Sequence, residues 1–145
     1  MELVKDVPSY IRKMYEGNYF MNEFGINIEE IHCGSAVVSL DIVKEKHFNH
    51  RGVCHGGVLT ALADTVLGVT GASVGEVVAT MCVSMNFIRP VSKEGRYYVK
   101  SRITHHGRTT MIIDSRMYDE DDKTVCTISD TMYIIKHFDE IPRQW

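Results

Sequence analysis

The chain carries one long helical pattern, residues 56–71, and nearly everything after it alternates with the period of a β-strand. At about 100° per residue, Val58, Leu59, Leu62, Ala63, Val66 and Val69 gather on one broad helix face, and Thr60, Ala61, Asp64 and Gly68 fall on the other. Such an apolar face must be buried against another layer, and the following segments supply a sheet. In residues 77–87, Val77, Ala79, Met81, Val83, Met85 and Phe87 point one way, and Thr80, Cys82, Ser84 and Asn86 the other. Strand patterns follow at 96–104, 110–118 and 124–137, separated by turn signals at 93–95, 106–107 and 119–122. Parallel βαβ folds need more helices than this. The expectation is an α+β fold in which an antiparallel sheet wraps one long central helix.

Ahead of that helix, Tyr10, Ile11, Met14 and Tyr15 sit at helical spacing within residues 8–15, and Gly17 and Asn18 close the pattern. A strand pair is expected at 26–31 and 36–43, with Val38, Leu40 and Ile42 alternating against Val37, Ser39 and Asp41. No repeat, linker or low-complexity segment divides the chain, so residues 1–145 read as one domain with an N-terminal helical segment over 1–24. The 16 basic and 19 acidic residues give a net charge of −3, which offers no basic surplus for nucleic acid. No stretch reaches the roughly 20 apolar residues that span a bilayer, and the N-terminus has no secretory pattern. Cys33, Cys54, Cys82 and Cys126 form no CxxC pair and read as reduced thiols of a cytoplasmic protein.

The densest run of chemically capable residues, HFNHRGVCHGG at 47–57, immediately precedes the long helix. Its glycines let the backbone turn tightly, and the helix start offers unpaired N–H groups at the positive end of its dipole. Such a terminus can hold an anion or polarise a carbonyl; a loop simply turning into a helix would use the same residues. Asp64, taken alone, reads as a solvated helix acid, as most helix aspartates are, although its neighbours Thr60, Ala61 and Gly68 are small enough for a ligand or a second helix to approach. His47, His50, Cys54 and His55 can each bind metal, but their spacing follows no standard zinc pattern. Cys54 beside His55 could suggest a thiol nucleophile, yet adjacent residues on a turn usually diverge, and a small buried thiol is the better account. Arg108, at the hairpin tip 105–108, and Arg89, before Pro90, are further polar candidates.

The segment Asn49-x-x-Gly52-x-x-His55-Gly56-Gly57, followed by Leu62-Ala63-Asp64, resembles the signature of the hotdog thioesterases of the phenylacetic-acid-degradation (PaaI-like) type. Residues 80–90, ending Phe87-Ile88-Arg89-Pro90, and the turn Gly107-Arg108 are similar too, so the likeness spans about 26–135. The resemblance implies a hotdog fold, hydrolysis of an acyl-CoA thioester, no metal or organic cofactor, and a dimer or dimer of dimers. Position by position, it implies that the Gly56 N–H binds the thioester carbonyl, with Gly57 beside it at the substrate. Asn49 and His55 would position the carbonyl and the departing sulfur, Asp64 would be general base or nucleophile, and Thr80 would place water. Arg89 and Arg108, with Lys100 as a further candidate, would meet the CoA phosphates. Gly56 and Asp64 are eight residues apart, about 12 Å along a helix, whereas reacting groups must approach to about 3–3.5 Å. One helix cannot present both to one carbonyl, but two antiparallel helices from two chains can.

Two rivals share this ligand chemistry. A hotdog hydratase or dehydratase would use a histidine with a helix acid but a different loop motif. A non-catalytic acyl-CoA-binding sensor would need a partner, since the roughly 20 residues before Asn22 cannot form a DNA-binding domain.

Overall fold

The computed structural model describes residues 1–145 and has the expected α+β architecture. Two short helices, α1 (Val7–Tyr15) and α2 (Tyr19–Phe24), precede strands β1 (Asn27–His32) and β2 (Ser35–Ile42). A single turn of helix, α3 (Lys44–His47), leads to the long helix α4 (Gly56–Ala72). Strands β3 (Glu76–Phe87), β4 (Gly95–His106), β5 (Thr110–Tyr118) and β6 (Thr124–His137) complete an antiparallel sheet ordered β1-β2-β4-β5-β6-β3. Leu59, Leu62, Ala63, Val66, Leu67 and Val69 press α4 against that sheet. Thr70, on the same side, reaches the Ser101 hydroxyl of β4 at 2.5 Å, and Ser101 in turn donates to the Ala36 carbonyl of β2. The helix is therefore stitched to the sheet by polar as well as apolar contacts.

Three features depart from the periodic reading. Asn18 opens α2 instead of only closing α1: its side chain accepts the Met21 N–H at 3.0 Å, the usual work of an N-cap. On β2, Val37 and Ser39 are buried although they turn away from α4, because Ser39 donates to Glu29 at 2.6 Å and long neighbouring side chains cover that face. On β3 the alternation breaks. Thr80 pairs with Met132 and Cys82 with Thr131, so Met81 is an extra, bulged residue. The bulge reverses the phase and puts Val78, Thr80, Val83, Met85 and Phe87 on the α4 side, opposite the core-facing residues of β6.

The C-terminal residues 138–145 fold back over the turn from α4 to β3. Phe138 N–H bonds the Gly75 carbonyl at 2.8 Å, and the Trp145 indole donates to the Ser73 carbonyl at 2.7 Å. Glu76, only 1% exposed, holds His106 at 2.8 Å, His137, and Arg143 at 3.9 Å. Gly75 adopts φ +78°, and a Cβ there would meet the Ile141 carbonyl oxygen at 2.9 Å. Gly75→Ala should therefore destabilise the protein by about 2–4 kcal/mol, combining left-handed strain with a backbone clash, as a lowered urea midpoint would show.

Candidate active site

The loop from α3 to α4 is fixed by its own polar groups. His47 is buried, and its Nδ1 accepts the Val43 N–H at 2.9 Å; burial lowers its proton affinity, favouring the neutral ring. Asn49 Oδ1 accepts from Arg51 N–H at 2.9 Å, leaving its side-chain NH2 without a partner in the chain. Cys54 N–H bonds the Val91 carbonyl at 2.7 Å, which ties the loop to the segment after β3. The Cys54 thiol is buried, and desolvation pushes its pKa up to about 11, so it is not a thiolate at neutral pH.

His55 is the N-cap of α4: its Nδ1 accepts the Gly57 N–H at 2.9 Å. In the neutral ring that acceptor role puts the proton on Nε2, which points no hydrogen bond into the chain. A Cβ at residue 57 would stand 3.0 Å from that Nδ1, so the cap needs glycine there. The Gly57 N–H is consumed by the cap. The Gly56 N–H, at the first helical position, has no carbonyl to bond, and a Cβ at this residue would stand 3.7 Å from the Phe87 ring. The helix start thus presents one bare backbone donor, preceded by a loop in which the Asn49 amide NH2 and His55 Nε2 have no partner in the chain.

Asp64 sits two turns along α4, exposed, and accepts the Thr80 hydroxyl at 2.8 Å. Both line an open cavity of about 560 Å³ whose other walls include Tyr15, Phe20, Gly68 and Val83. The β3 bulge is what turns Thr80 into this cavity. The N-terminal helices supply its aromatic wall, and burial pushes the Tyr15 hydroxyl up to about 12.

The predicted residues therefore form two groups: Asn49, His55, Gly56 and Gly57 at the helix start, and Asp64 with Thr80 along the helix. Arg89 follows β3 on the loop side, near the first group. Arg108 tips the β4–β5 hairpin, beside the Glu76 end of β3, so in one chain the two arginines lie at opposite ends of a strand roughly 35 Å long. Lys100 lies outside the site: it neighbours fully buried Val99 on β4 and faces away from α4, in a surface cleft with Arg102 and Arg116. His47, His50, Cys54 and His55 form no cluster that could hold a metal ion.

One acidic residue escaped the sequence reading. Asp130 of β6 is 1% exposed, and neither carboxyl oxygen has a partner. Burial first, then the charges of Asp64 and Asp114, pushes its pKa up to about 7. The signal was present: Asp130 shares strand parity with Cys126, Ile128, Met132 and Ile134, all core residues.

Residues 51–126 match the family model of the Thioesterase superfamily. The acyl-coenzyme A thioesterase PaaI of Escherichia coli (strain K12) is 29% identical over 112 residues, 77% of this chain and 79% of its own. The structure of E. coli PaaI superposes with a TM-score of 0.85 at 25% identity, covering 93% of this chain and 96% of that one. A hypothetical thioesterase from Streptococcus pneumoniae, solved with coenzyme A, superposes at 0.72 with 28% identity, covering 77% and 90%. Variants of that protein, with a threonine or an aspartate replaced by alanine, superpose equally well.

Asp130 makes stability fall as pH rises. The folded chain keeps a proton up to about pH 7 that the unfolded chain releases near the ordinary value of 3.8. The difference accumulates between those values, at up to about 1.4 kcal/mol per pH unit, and is complete above the upper one. In thermal melts Asp130→Asn should match wild type near about pH 4 and exceed it above about pH 7; parallel curves would show that Asp130 does not titrate in this window.

Proposed function

The chain belongs to the thioesterase superfamily, and from that membership we propose that it hydrolyses the thioester of a small aromatic or medium-chain acyl-CoA, at a site shared by two copies. The observation that carries this reading is the separation of its two functional groups on one helix. A bare Gly56 N–H stands at the start of α4, and an exposed Asp64 bonded to Thr80 stands eight residues on.

A second copy is the natural occupant of the exposed side. β3 is the sheet edge, 12 residues long, with Met81 and Phe87 more than half exposed. An unpaired edge of that length invites antiparallel pairing, and the small residues Thr60, Ala61 and Gly68 let another chain approach α4 closely. Pairing two copies antiparallel about a two-fold axis would bring the helix start of one toward Asp64 of the other.

In the shared site the Gly56 N–H would stabilise the oxygen of the tetrahedral intermediate, a donor whose loss costs on the order of 10²–10³ in rate. His55 Nε2–H and the Asn49 amide would orient the carbonyl and the leaving sulfur. Asp64 would either take a proton from water as its oxygen attacks the carbonyl carbon, or attack that carbon itself to give a mixed anhydride that water cleaves. Collapse breaks the C–S bond, and the thiolate takes up a proton. Thr80, donating to Asp64, would hold the carboxylate in place. The alanine variants of the S. pneumoniae thioesterase concern an aspartate and a threonine 16 residues apart, the spacing of Asp64 and Thr80. This supports treating the two as one unit.

Thiol release from a panel of aryl- and alkyl-acyl-CoAs tests the reading. Wild type should release CoA, and Asp64→Asn should lose at least about 10² of kcat while remaining folded and oligomeric. An active Asp64→Asn enzyme would rule out the proposed role of that acid. Arg89→Gln or Arg108→Gln should raise KM in a salt-sensitive manner, since an exposed cation on a phosphate is screened by ions; an unchanged KM removes that arginine from the CoA site.

A further inference from the structure

Asp130 is buried as deeply as Glu76, but the two carboxyl groups are treated differently. Glu76 is held by two histidines and an arginine, whereas Asp130 has no donor at either oxygen and lies in strand register between Ile128 and Met132. An unpartnered buried acid is a liability that a structural role does not explain. Its location is informative. Asp130 pairs across strands with Val83, two residues from Met132, and both neighbours line the cavity that holds Asp64 and Thr80.

The charged groups around it are few. α4 contributes Asp64 and β5 contributes Asp114, while the residues that β3 turns to this face, Val78, Thr80, Val83 and Met85, are uncharged. Negative charge on Asp64 raises the proton affinity of Asp130. Asp64 is exposed and accepts the Thr80 hydroxyl, whereas Asp130 is buried with no donor at either oxygen.

Resting on the hydrolysis proposed above, we infer that Asp130 is a positioning residue for that reaction, a buried second carboxyl group whose charge drives negative charge from Asp64 onto the thioester oxygen. In both routes open to Asp64 the balance is the same. Its carboxylate loses its charge, by taking a proton from water or by bonding to the carbonyl carbon, and the carbonyl π pair moves to oxygen. In the proposed shared site that oxygen would bind the Gly56 N–H of the second copy, whereas Asp130 acts on Asp64 of its own chain. Ionised Asp130 repels the charge where it begins more than where it ends, and so lowers the barrier. Neutral Asp130 does not. Since Asp130 touches no substrate, it acts on kcat and leaves KM alone.

The test is the pH dependence of kcat and KM for wild type and Asp130→Asn, read by thiol release. Wild-type kcat should rise roughly tenfold between about pH 6 and about pH 8.5. Asp130→Asn, a mimic of the neutral acid, should stay at the lower plateau with wild-type KM. Superimposable kcat profiles, or a change confined to KM, overturn the inference. An infrared titration of the neutral carboxyl band gives a second readout without turnover. In wild type the band should persist to about pH 7, and in Asp64→Asn it should disappear at lower pH. An unmoved midpoint overturns the coupling even if the Asp130→Asn variant does not fold. Absence of turnover with a midpoint that does move would sink the hydrolase reading and leave the carboxyl pair standing.

Discussion

Packing of α4 against the sheet is the interaction on which the rest depends, because it sets both what the helix hides and what it offers. Leu62, Val66, Leu67 and Val69 are wholly buried there. At about 1.5–3 kcal/mol for each side chain, their burial is comparable with the whole net stability of a domain this size. The helix cannot rotate without exposing them. Its opposite face is thereby committed to Thr60, Ala61, Asp64 and Gly68, and its start is pinned by the His55 cap and the loop tied to Val91. A rigid helix then holds the Gly56 N–H and Asp64 too far apart to meet on one carbonyl, and the proposed site therefore calls for a second copy.

Three carboxyl groups show how environment divides labour. Asp64 is exposed at the cavity and accepts one hydroxyl donor, that of Thr80. Glu76 is buried but engaged by His106, His137 and Arg143, and it locks the C-terminal segment onto the turn after α4. Asp130 is buried without a partner and pushed up to about 7, so its charge is available to change near neutrality. The same functional group thus sits in three different settings of solvent and donors, and the roles proposed for Asp64 and Asp130 follow from that difference.

Much of this was legible in the chain. The α4 face and the turns between later strands followed from periods of 3.6 and 2, and β5 and β6 occupy the expected residues. The Met81 bulge was not legible: an extra residue leaves the alternation of 77–87 intact in sequence while reversing which residues face the helix. Thr80 was assigned by resemblance and placed on the wrong face by periodicity. The C-terminal segment carries no period, so its attachment through Trp145 and Arg143 could not be read. Asp130 could have been found from its parity among core residues, a rule that applies to any acid within an apolar strand face.

Complementation between two inactive variants tests the shared site most directly. Gly56→Pro removes the N–H at the first helical position, where proline fits, and His55 already has the extended backbone (φ −61°, ψ 132°) that a following proline requires. Asp64→Asn removes the acid. Mixed and allowed to exchange subunits, the two should recover about a quarter of wild-type activity, since half the dimers are hybrids and each hybrid has one intact site. Recovery to that level means that one chain supplies the helix start and the other the aspartate. No recovery, with hybrids demonstrably formed and each parent folded, would mean that both groups act within one chain or that one of them does not act at all.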